Sequence, residues 1–143
     1  MATLEVNKDQ LRLIQRALDL YSRIGIGQFG VIKDHPTFER HLSTELKDED
    51  GKTDYGRYHK VRDSIDSMLI QPRNMLIQEP THPQNGSWGI HNSKVDESCR
   101  EAYDIIQVIR HEFWKADKDR SDITVDSSVH LTTEDTGNIK VTL

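Results

Sequence analysis

Apolar residues are scarce in this chain, and the shortage narrows its class before any motif is read. Of 143 residues only 34% are hydrophobic and 6% aromatic, against 30% charged, and the mean hydropathy is −0.72. No run approaches the ~18 consecutive apolar residues of a membrane-spanning helix. The opening MATLEVNKDQ has neither the basic start nor the apolar stretch of a signal peptide. The single cysteine, Cys99, excludes an intramolecular disulfide and suits a reducing compartment, so the expectation is a cytoplasmic protein with no membrane partner. Charge of one sign is also lacking: 19 Lys and Arg against 24 Asp and Glu leave −5, no global field for a nucleic acid polymer. Any anion site must be local. Seven histidines form no H-E-x-x-H, and one cysteine cannot build a zinc set, so no metal and no cofactor is expected. No local Ser/His/Asp or Cys/His arrangement points to a catalytic residue, which makes an enzyme the weaker expectation.

What the chain does have is helical periodicity. From Ser93 to Ala116, Val95, Cys99, Ala102, Ile106, Ile109 and Phe113 recur at steps of four, three, four, three and four, one face of a helix. Ser93 with Asp96 three residues on resembles a helix start. Arg100, Glu101, Asp104, Arg110 and Glu112 make the other face. Asn7 with Gln10 opens a first helix whose stripe, Leu11, Ile14, Leu18 and Tyr21, widened by Leu13, Ala17, Leu20 and Ile24, predicts deep burial. Phe38, Leu42 and Leu46 predict a second helix after His35-Pro36. Tyr58, Val61, Ile65 and Met68 predict a third that ends before Gln71-Pro72. Glu79 to Asn92 reads as an ordered loop folded back by Trp88 and Ile90. Beyond a charged linker, Ile123, Val125, Val129, Leu131, Ile139, Val141 and Leu143 alternate with a turn at Gly137, a hairpin pattern. A lone hairpin is marginal in water, so it should pack on the helices or on a neighbour. The expected fold class is therefore mainly α: one domain over 1–143, with a body of about four helices at 7–117 and a C-terminal β-hairpin at 122–143. The short supply of core residues favours a homo-oligomer.

Three constellations carry candidate chemistry, each with a structural reading beside it. Gly25-Ile26-Gly27-Gln28-Phe29-Gly30 spells G-x-G-x-x-G, but a dinucleotide site needs a strand before it and here a helix precedes it. Close helix packing or a corner explains the glycines, while Arg23 beside their exposed N–H groups offers a local phosphate site. Glu101-x-x-Asp104, with Glu97, resembles half of the acidic helix pairs that hold magnesium in all-helical nucleotide pyrophosphohydrolases. The matching earlier pair is missing, and a solvated acidic face is the alternative. The third joins the loop from Asn85 to Asn92, with Trp88, to Arg110 and His111. Aromatic stacking plus arginine grips a base and a phosphate, yet the same residues can cap the core.

At RALDLYSRIGIGQF and SWGIHNSKVDESCREAYDIIQVIRHEFW, within roughly Asn7 to Trp114, the chain resembles a group of small proteins of unknown function from bacteriophage and prophage genomes. Small phage proteins of this profile include anti-defence sponges, and the resemblance implies sequestration of a cyclic nucleotide or ADP-ribose-derived signal without catalysis. The expected ligand-binding residues are Arg23 and Arg110 for phosphate, Trp88, Tyr21 and Phe29 for stacking, and Gln28, Asn92 and His111 as polar readers. Asn92 and Arg110 are eighteen residues apart, about 27 Å on an ideal helix. A shared site would need an antiparallel partner helix or a folded-back loop. The alternative is a structural or protein-binding accessory acting through a homo-oligomeric interface, and the third reading is a nucleotide hydrolase.

Overall fold

The computed structural model describes residues 3–77, 86–116 and 140–141. Among them the fold is mainly helical: α1 (Lys8–Gly25), a 3-10 helix (Phe29–Asp34), α2 (Pro36–Glu45), α3 (Tyr55–Ile77) and α4 (Glu97–Ala116). No helix among the described residues is long and apolar enough to cross a membrane. The expected hairpin at 122–143 lies outside the described residues except for Lys140 and Val141, neither of which is in a strand. The chain divides into two compact units, one from Met1–Ile26 with Gly89–Leu143, the other Gly27–Trp88.

In the first unit α1 packs on α4. The capping box that opens α1 is complete: Gln10 N–H donates to Asn7 Oδ1 and Asn7 N–H to Gln10 Oε1, both at 2.9 Å. The α4 stripe is buried throughout, with Val95, Ile106 and Ile109 each only 2% exposed. Leu11, Ile109 and Phe113 form a core cluster, with Ile14, Ile105 and Val141 packed against it. Val141 thus brings the end of the chain onto the helices. Gly25 lets the helices touch, since a Cβ there would stand 2.1 Å from Cys99 Sγ. The glycine run therefore ends α1 and packs it closely.

Four local readings need correction. α1 is not deeply buried all round: Leu13 is 60% and Tyr21 51% exposed, because α4 packs on the opposite face. α4 starts at Glu97, not Ser93, because Asn92 Oδ1 accepts from Lys94 N–H and holds 92–95 in a turn, leaving Asp96 to cap the helix through Ser98 N–H at 2.9 Å. Asp104 is not part of a solvated acidic face but fully buried at 0% exposure. In the second unit α3 runs through Pro72 to Ile77. Its last turn is anchored from outside, by Arg73 Nε donating to Gly86 O at 2.8 Å and by Ile77 against Gly27, which outweighs one lost N–H. As a result the buried face turns past Met68, 74% exposed, to Arg73 and Ile77.

The 3-10 helix packs against α3 and α2. Arg62 of α3 ties all three together, pairing with Asp34 and donating to Glu39 Oε2 at 2.7 Å and to Tyr58 Oη at 3.1 Å. Pro36 stands at the start of α2, where its missing N–H costs nothing, and His35 caps it by accepting from Thr37 N–H.

Candidate functional site

The second unit holds a cavity of about 630 Å³, lined by residues of the glycine turn, the 3-10 helix, α3 and the loop at Gly86-Ser87. Its shape begins with Gly27, whose φ of +87° is left-handed backbone that a side chain resists, and where a Cβ would lie 2.7 Å from Ile77 Cδ1. The turn delivers Gln28 and Phe29 to one wall. Gly30 lets the 3-10 helix lie close on α3, a Cβ there reaching 3.2 Å from Asp66 Oδ1, and Lys33 pairs with that same carboxylate. Opposite, Gln28 Nε2 donates to Ser87 Oγ at 3.1 Å, and buried Arg73 holds Gly86 O.

The lining carries charge of both signs. Lys33 and Arg73 are set against Asp34, Asp63 and Asp66. Lys33 is neutralised by Asp66 and Asp34 by Arg62. Exposed Asp63, buried Arg73, the Gln28 amide with its bond to Ser87, and the Phe29 ring complete the polar and aromatic lining. Such a set can hydrogen-bond, stack and balance a modest charge. Among the described residues no group of three or more His, Cys, Asp or Glu could hold a metal ion.

Of the eight expected site residues, the cavity brings Gln28 and Phe29 together. Trp88 belongs to the same unit and is buried directly after Ser87. The other five lie in the first unit. Tyr21 Oη shares a hydrogen bond of 2.7 Å with Ser98 Oγ. Arg23 Nε donates to Asp19 Oδ2 at 2.7 Å, one helical turn back on α1. Asn92 builds the turn before α4. Arg110 is half-buried on α4, and the His111 ring stacks on Trp114 at 5.6 Å. His111 Nδ1 is buried with no hydrogen-bond partner among the described residues. The acidic pair of α4 does not present a shared face, since Glu101 is exposed and Asp104 is not.

Local reading missed Lys33, Asp63, Asp66, Arg73 and Ser87. Arg73 had one signal, its position fifteen residues after buried Tyr58, close to four helical turns, so that a helix continued through Pro72 puts both on one face. Asp63 and Asp66 are neighbours three residues apart on α3, but they meet Lys33 and Ser87 only through the tertiary fold. No family model, no curated protein and no solved structure matches this chain.

Proposed function

We propose that the chain binds and sequesters a small nucleotide-like ligand, without catalysis, in the cavity bounded by Gln28, Phe29, Lys33, Asp63, Arg73 and Ser87. The observation that carries this reading is the cavity itself: about 630 Å³ falls within the span of small-molecule sites, and its lining is polar with one aromatic face. Phe29 supplies a surface for a base, Lys33 and Arg73 are the cations a phosphate would draw from their present partners, Asp66 and Gly86 O, and Asp63 accepts from sugar hydroxyls or an exocyclic amine. With Asp66 paired to Lys33, Asp34 to Arg62, and Asp63 matched in charge by Arg73, the site carries no net positive charge, which favours a ligand with few charges, a cyclic nucleotide over an ADP-ribose diphosphate. In this reading the phosphate site predicted at Arg23 moves to Arg73, and the protein serves a bacteriophage as an anti-defence factor in the host cytoplasm.

The rival is a structural or protein-binding accessory, and it draws on the same wall, because the bonds from Gln28 to Ser87 and from Arg73 to Gly86 also close the fold. Incubation with cyclic dinucleotides, cyclic mononucleotides and ADP-ribose derivatives, followed by heat denaturation, separates the readings. Depletion with recovery of intact ligand supports sequestration, altered ligand supports a hydrolase, and no depletion from the panel supports the accessory. Phe29→Ala should weaken binding by about 1–3 kcal/mol, roughly five- to 150-fold in Kd by calorimetry, if the ring stacks on a base.

A further inference from the structure

We infer that the outward face of α1 is a self-association surface, on which a second copy of this chain docks its own α1 in antiparallel register. α1 is apolar on two sides. Leu11, Ile14 and Gly25 face α4 and its core. On a separate line Gln10, Leu13, Ala17, Leu20 and Ile24 follow one another at steps of three, four, three and four, the seam of a two-stranded helical pair. The centre of that seam is open: Leu13 is 60% exposed and Ala17 is exposed. Tyr21, half exposed beside it, is pinned by its bond to Ser98, so it borders the seam as a fixed wall.

The identity of the occupant follows from size and charge together. In an antiparallel pair centred between Leu13 and Ala17, each Leu13 lies over Ala17 of the second copy, large beside small, and each Gln10 meets Leu20. The same register sets Asp9 of each copy beside Arg23 of the other, so the two-fold axis produces that opposite-charge pair twice. Arg23 already shares Asp19 on its own helix in an exposed pair, 44% and 41% exposed, which costs little to rearrange. Arg16 meets its own copy at the axis with a stem long enough to turn its head to water. A parallel pair would stack Leu13 on Leu13 and leave Asp9 without an opposite charge.

The test uses the full chain. Sedimentation should give a dimer, and Leu13→Glu should convert it to a monomer with an unchanged helical spectrum, since the substituted position is outside the core. A monomeric wild type at all concentrations would overturn the inference, as would a dimer that survives Leu13→Glu. Register is read from two single variants, Leu13→Cys and Ala17→Cys, oxidised separately and mixed, with native Cys99 buried and out of reach. The mixture should yield a cross-linked species many-fold above either variant alone. Equal or stronger cross-linking of each variant with itself would overturn the antiparallel register.

Discussion

Gly25 has no side chain at the place where α1 meets α4, and the space a Cβ would need is taken by Cys99, whose Sγ would be 2.1 Å and Cβ 2.9 Å away. Gly25→Ala should therefore destabilise the protein by about 1–3 kcal/mol in chemical denaturation, through overpacking rather than loss of helix propensity. Adding Cys99→Ala should recover part of that loss and no more, since the Cβ stays. Burial also pushes the Cys99 thiol up, and Asp96 adds to the shift, so a thiol reagent should react with the native protein far more slowly than with the denatured chain. The burial of Cys99 was legible, because it sits on an unbroken apolar stripe. That of Asp104 was not. A carboxylate at 0% exposure is tolerated only where the fold supplies partners, and nothing in the neighbouring residues states where those partners will be.

At the scale of elements, ends are where local reading and structure part. The α1 start was legible because both halves of its capping box lie within four residues. For α4 two acceptors competed, and Asn92 took the turn while Asp96 took the cap. The Ser98 hydroxyl and N–H donate to Asp96 and hold its carboxyl below the usual carboxylate range. A lowered value in the fold means that the contribution is present above the unfolded pKa, about 3.9, and is lost as pH falls through the lowered value. Asp96→Asn keeps an acceptor but nothing that titrates, so its thermal stability should change less across acid pH than that of the wild type. The end of α3 failed for a different reason. Proline is a local stop signal, and only the anchoring of Arg73 and Ile77 by residues distant in sequence shows that the helix passes it.

For the whole molecule, the second unit is joined by side chains that no periodicity reports. Arg62 bridges the 3-10 helix, α2 and its own α3, and lies 5.5 Å from the centre of the Tyr58 ring. Tyr58 donates to Glu39, which with burial raises its pKa. Removing the guanidinium leaves Asp34 and Glu39 without their shared cation. Arg62→Ala should therefore lower the melting temperature by a few degrees and speed hydrogen exchange along α2 and the first half of α3, while Arg62→Lys, a point charge without the fork, should recover only part. The candidate site depends on the same assembly, since Lys33 and Asp66 meet across elements that Arg62 holds together.

The sequence by itself determined that this is a mainly helical protein, where most of its helices run and which face of α4 is buried. Those properties follow from periodicity, capping and glycine, all local to a few turns of chain. The tertiary structure decided that α3 passes its proline, that Asp104 is buried, and that Gln28 and Phe29 share a cavity with Lys33, Asp63 and Arg73. Each of these depends on contacts between residues far apart in the chain, where packing and paired charge outweigh local preference.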